Sequence, residues 1–191
     1  MLGYFVASKV SHSKFSLRKA AILGCVAWLL SPSASFATSP TDVSIGLKIL
    51  LLMHEKYSGA IPIAIVYNPA IPASVTDANN IKKNIDSGVG VPEELAINAY
   101  LVSSDQINKL AGARMAFLAD HLTSDGVDSV CNAASKQGIA TISDNISCVR
   151  ANKCVLGIVT KPRVEIYYSA IAAKASHVTF NSAFIMLAKQ I

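Results

Sequence analysis

Apolar and polar positions along this chain switch between two periods, and the switching outlines a fold. From Thr41, "TDVSIGLKILLLMHEKY" sets Ile45, Ile49, Leu52 and Met53 at helical spacing, behind a Thr41 or Asp42 cap and ahead of Gly59. "IPIAIVYNP" is a nearly unbroken apolar run closed by Asn-Pro, as expected for a strand buried on both faces. "PASVTDANNIKKNIDSG" returns to the helical period, with Ser74 as the expected cap and Gly88 as the stop. The alternation then repeats. "ELAINAYLV" predicts a second strand, "SSDQINKLAG" a short helix, and "ARMAFLA" a third strand. "TSDGVDSVCNAASKQG" predicts a helix stopped at Gly138, and "IATISD" a fourth strand ending in Asp144.

Strands separated by helical segments predict a parallel sheet with right-handed crossovers. After Asp144 the rhythm changes: "CVLGIVTKPRVEIYYS" is two extended runs split by "TKP", which predicts a β-hairpin. The tail carries two short helical pieces broken near His177. The expected class is therefore α/β: three layers, a mostly parallel sheet with helices on both faces, and a C-terminal β-hairpin added to the sheet.

The first residues belong to a different pattern. Lys9, Lys14, Arg18 and Lys19 stand without an acid, ahead of the apolar run Ala20–Leu30 and a small-x-small site at Ser35 and Ala37. That is the layout of a secretory signal peptide, residues 1–37, cut after Ala37. A membrane anchor is the rival, but the unbroken apolar run has 11 residues, and a spanning helix needs about 20. Cys25 lies inside the apolar run, so it does not mark a lipid attachment site. The expected product is one domain, 38–191, in the periplasm.

Charge changes meaning once the leader is set aside. The whole chain has 17 Lys+Arg against 12 Asp+Glu, and all four leader charges are basic, which leaves the 154-residue domain at +1. The basic balance thus belongs to the targeting segment and gives no support to nucleic-acid binding. No P-loop, G-x-S-x-G, G-x-G-x-x-G or zincin helix is present, and the histidines show no metal-ligand spacing. No catalytic residue, cofactor or metal is expected.

Three features remain as candidate chemistry. Cys148 and Cys154, in "SCVRANKCVLG", fit neither zinc-finger nor thioredoxin spacing. In an exported chain the simplest reading is a local disulfide worth about 2 kcal/mol; two buried free thiols are the alternative. Cys131 is then left over, either as a buried apolar residue or as a thiol able to exchange with that pair or bond a second chain. Asn68, Ser103, Asp120 and Asp144 end the four strands on one edge, where open α/β sheets bind ligands. Tyr67, Asn68, Ser74 and Asp120 are the candidate small-ligand residues, although polar residues also end such strands for ordinary reasons. A hydrolase built on Asp120 and His121 is a further rival. The last candidate is a contact face formed by Phe180, Phe184, Ile185 and Met186 in "VTFNSAFIMLAKQI", residues that would equally well cover the sheet.

The C-terminal third, "IATISD", a Cys-bearing loop, "VLGIV", "RVEIYYS", "SAIAAKASHV" and "FNSAFIMLAKQ", resembles the YfiR family of periplasmic regulators. Ile166, Ala170, Ala172, Ala173, Ser182, Leu187 and Ala188 carry the likeness. The resemblance implies a non-enzymatic repressor that binds the periplasmic sensor part of an inner-membrane diguanylate cyclase, and so controls cyclic-di-GMP and biofilm formation. It also implies a stabilising disulfide, here at Cys148 and Cys154, and homodimers. A small-ligand-binding protein using the strand-end cleft is the alternative.

Overall fold

A computed structural model of the chain describes residues 38–191, Lys56 and Val89 excepted. The expected leader and its cut site lie outside those residues. Seven strands form one sheet in the order β2-β1-β3-β4-β5-β6-β7. They are β1 (Ala60–Tyr67), β2 (Ala96–Ser103), β3 (Met115–Leu118), β4 (Ala140–Ser143), β5 (Leu156–Val159), β6 (Glu165–Tyr168) and β7 (Lys189–Gln190). The first five are mutually parallel, β6 runs antiparallel to β5, and β7 is parallel to β6. The α/β class and the hairpin are as the sequence predicts.

Successive strand residues point to opposite faces, and both faces are apolar, as a parallel sheet requires. Ile61, Ile63 and Ile65 of β1 join Phe117 and Ile142 in one core, under α1 (Pro40–Ile49) and α2 (Pro72–Asp86). Ala64 and Val66 of β1 join Ala116 and Leu118 in the other, under α3 (Ser124–Lys136) and α4 (Ile146–Arg150). Helices α5 (Ala170–Ala175) and α6 (Ser182–Leu187) complete the chain. Phe180 and Phe184 belong to the α1–α2 core.

Local expectations fail where tertiary contacts take over. The first helix continues only through a 3₁₀ turn at Leu50–Leu52. It does not reach Gly59, because Met53 pairs with Phe180 in an isolated bridge and His54 donates to the Thr179 carbonyl. Ser74 is not the cap of α2, which starts two residues earlier at Pro72 with no side-chain cap. Proline at a first helical position supplies the fixed φ and lacks only an N–H that would be unsatisfied there. The segment between β2 and β3 forms a 3₁₀ turn, Ile107–Leu110. Two elements went unforeseen, α4 and the two-residue β7, both too short to show a period.

Helix α1 lies close on the sheet because Gly46 has no side chain. A Cβ at Gly46 would sit 2.7 Å from Cζ of Phe117, an atom of a ring that is itself packed in the core. Gly46→Ala is expected to lower the unfolding free energy by about 1–3 kcal/mol, despite alanine's better helix propensity. Urea unfolding checks it, and the penalty shrinks when Phe117→Leu is made in the same chain.

Candidate functional site

The strand order places a topological switch between β1 and β3. The chain leaving β1 enters α2 on one face, and the chain leaving β3 enters α3 on the other. The two departing loops leave a crevice at the carboxyl edge, where doubly wound sheets take ligands. On the β1 side, the Tyr67 carbonyl accepts from Ser104 N–H at 2.8 Å, and Asn68 Oδ1 accepts from Ala70 N–H at 3.0 Å. Asn68 N–H donates to Ser74 Oγ at 3.0 Å. Ser74 is fully buried, so this residue, expected at the ligand rim, supports the loop from beneath. Tyr67, Asn68 and Asp120 are half-buried at the edge. Ser103 ends β2, one strand further out.

Two aspartates organise this edge: Asp77, which the sequence reading passed over, and Asp42, which it took only as a possible cap of the first helix, a place that Ser39 holds. The buried residues of α2 are Ser74, Asp77, Ala78, Ile81 and Ile85, a helical stripe whose first turn is polar although it faces the core. Asp77, only 3 % exposed, accepts from Thr38 N–H at 2.9 Å through Oδ1. Its Oδ2 accepts from Thr38 Oγ1 at 3.0 Å and from Asp120 N–H at 2.9 Å. One carboxylate thereby joins the start of the described chain, α2 and the loop after β3. Asp42 closes a capping box with Ser39, taking the Ser39 N–H on Oδ2 at 2.8 Å. Its Oδ1 is buried and has no hydrogen-bond partner among the described residues. A polar residue recurring on a core-facing stripe was the available signal for both.

Asp144, at the end of β4, completes a group of four carboxylates with Asp42, Asp77 and Asp120. Burial, and then the charges of Asp120, Asp77 and Asp42, push its carboxyl up to about 7. Thr38 Oγ1 reaches its Oδ2 at 3.4 Å. His121 lies on the rim with Nε2 3.3 Å from Asp120 Oδ2, so the two residues of the hydrolase rival are within contact of each other. Among the described residues, no lysine or arginine forms an ion pair with Asp42, Asp77 or Asp144.

The cysteines lie on the other face of the sheet, in the α3–α4 core. Cys148 on α4 and Cys154 before β5 are joined by a disulfide, with Cα atoms 5.3 Å apart. Cys131 on α3 is buried, its Sγ 3.7 Å from that of Cys154. The three sulfurs lie within 4.8 Å of one another. With two of them bonded together, only Cys131 retains a thiol, and burial pushes it up to about 11, away from the reactive thiolate.

The expected contact face divides. Phe180 and Phe184 are 8 % and 0 % exposed, stacked at 4.2 Å, with Tyr168 edge-on to both at 5.6 Å. They cover the sheet, because the bridge to Met53 draws the tail onto the end of α1, and they offer nothing to a partner. Ile185 and Met186, one and two residues further on, are exposed, Met186 at 87 %.

No family model matches the chain, and no curated protein matches it in sequence. Solved structures do match in fold. A conserved domain protein from Vibrio cholerae is 14% identical with a TM-score of 0.57, covering 79% of this chain and 59% of its own. The ABC domain in complex with L-Trp from Streptococcus pneumonia is 10% identical with a TM-score of 0.56, covering 78% of this chain and 59% of its own. The match thus spans under two thirds of each neighbour's length, and at these identities the likeness establishes an α/β fold alone.

The Asp144 carboxyl gives stability a definite pH dependence in a chain whose Thr38 nitrogen is a peptide amide. Its ordinary value is 3.8 and its folded value about 7, so the folded state holds a proton that the unfolded state has released. Stability is full below about pH 4, falls as pH rises, and levels off above about 7, a total loss of about 2–4 kcal/mol. Thermal unfolding across that range should show the fall, and Asp144→Asn should flatten it.

Proposed function

We propose that the chain is an exported, non-enzymatic binding domain that holds a small polar metabolite at the carboxyl edge of its sheet. The observation that carries this reading is the convergence of the Asn68 and Asp120 loops at the β1/β3 switch point, tied together beneath by Asp77. Asp120 and His121 stand at the open rim above that tie, and the exposed His121 ring and half-buried Asp120 carboxylate are groups suited to hydrogen bonding with a ligand. The pneumococcal neighbour, described in complex with L-Trp, supports a ligand role for this arrangement. Export is supported by the disulfide, which persists in oxidising compartments.

Native mass spectrometry of the protein purified from its own host should show a bound small molecule, released on denaturation. Asp120→Ala should lower its retention about tenfold or more, as expected for loss of a charged hydrogen-bond partner, with little change in melting temperature. A ligand-free spectrum, together with no thermal stabilisation by a library of polar metabolites, would overturn the reading.

A second reading, contact with a membrane partner, is favoured by one observation. Ile171, Ile185, Met186 and Leu187 of α5 and α6 are 64 %, 46 %, 87 % and 66 % exposed. On the resemblance to the YfiR family, that partner is an inner-membrane sensor protein with a diguanylate cyclase domain. A pull-down from native membranes, with and without reductant, should recover it, and Met186→Glu should abolish recovery. Recovery unaffected by Met186→Glu would remove α6 from the contact.

A further inference from the structure

Thr38 is at once the residue the leader pattern places first in the mature chain and the first of the described residues, and it is buried. It is 9 % exposed, Ser39 caps α1 immediately after it, and Pro40 opens the helix. A cut after Ala37 would therefore leave no loose tail. We propose that cleavage after Ala37 creates a structural cation, the α-ammonium of Thr38, that locks into the carboxylate group of Asp77, Asp144 and Asp42 and completes the fold.

Hydrolysis of the Ala37–Thr38 peptide bond consumes one water, leaves a carboxylate on Ala37 and a primary amine on Thr38, and the amine is protonated at neutral pH. In the uncut chain the Thr38 nitrogen has one N–H, already given to Asp77 Oδ1 at 2.9 Å. The cut gives the same nitrogen two more N–H donors and a positive charge without moving it. Both are what Asp42, Asp77 and Asp144 lack among the described residues. Asp42 Oδ1 is buried without a donor, in a residue only 8 % exposed. Asp77 is 3 % exposed and has no lysine or arginine ion pair among the described residues. A buried carboxylate group costs stability unless a cation compensates it.

Among the described residues, the charged and titratable groups around the Thr38 nitrogen and its carboxylate neighbours come from four elements: Asp42 of α1, Asp77 of α2, Asp120 and His121 after β3, and Asp144 after β4. An ammonium among these carboxylates has its folded pKa raised above the ordinary α-amino range of about 7.7–8.0. The sign follows: its stabilisation is full below about pH 8 and is lost as pH rises through the higher folded value. The same ammonium lowers the Asp144 carboxyl, so the fall in stability between about pH 4 and 7 belongs to the uncut chain and fades in the cut one. The inference rests on export alone and is independent of any ligand at the rim.

The test uses the full chain, exported by a bacterial host and purified from the periplasm. N-terminal sequencing should read Thr-Ser-Pro-Thr-Asp. A second chain carries Ala-Gly inserted between Ala37 and Thr38, so that processing leaves the ammonium two residues away. The native product should melt about 5 °C or more above the extended one at pH 7, and that difference should vanish above about pH 10. Asp77→Asn should erase the difference between the two N-termini. Should Asp77→Asn fail to fold, Asp144→Asn in both backgrounds should reduce it. A cut elsewhere, an uncut product, or equal melting of the native and extended chains at all pH values would each overturn the proposal.

Discussion

A parallel sheet has to be covered on both faces, and most of this structure follows from that constraint. Strands β1 and β3 are apolar on both sides and β4 is buried on both, so helices must lie above and below, and each connection between parallel strands must cross a face. Once α2 takes one face and α3 the other, the chain has to diverge at the ends of β1 and β3. The crevice there is a consequence of covering the sheet. The close seat of α1, set by Gly46 over Phe117, belongs to the same requirement.

The divergence leaves backbone donors at the carboxyl edge that no strand can satisfy. Asp77 takes two of them, from Thr38 and Asp120, and Ser74 takes a third from Asn68. Polar residues therefore occupy the first turn of the core-facing stripe of α2, where an apolar residue would have packed equally well but left those N–H groups unpaired. The arrangement concentrates negative charge, as the raised Asp144 carboxyl shows. The same tie thus creates an electrostatic demand, one that the proposed cut after Ala37 would meet.

The two faces carry different chemistry. The crevice gathers the carboxylates, whereas the α3–α4 core holds the disulfide, with Cys131 beside it. Closing a ring of six-residue separation contributes about 2 kcal/mol by chain entropy, and it fixes the short helix α4 to the start of β5. That helix is too short to be stable alone. The aromatic trio of Tyr168, Phe180 and Phe184 does the corresponding work at the C-terminal end, clamping the tail to the sheet and leaving Met186 outside.

Sequence by itself determined the element types, because period and β-branching report burial residue by residue: the strand run at Ile61–Val66, the helix through Ile81 and Ile85, and the hairpin around "TKP" were all legible. It also placed Asn68, Asp120 and Asp144 on one edge, since parallel strands that end in polar residues end together. The spacing of Cys148 and Cys154, read with the export signal, pointed to the disulfide that the structure forms and left two free thiols as the alternative. Tertiary structure decided the rest. Met53 left helical register only because Phe180, distant in sequence, supplied a partner. Ser74, a plausible cap by its type, was drawn inside the helix by the Asn68 N–H. Phe180 and Phe184 were ambiguous between partner and core, since amphipathicity in a six-residue helix does not say which side meets the protein. Asp77 became part of a site through contacts between segments tens of residues apart, and Asp42 through its charge beside Asp144. Local pattern encodes how much each residue is buried; which residues meet across the crevice is set by strand order, and no period in the chain records it.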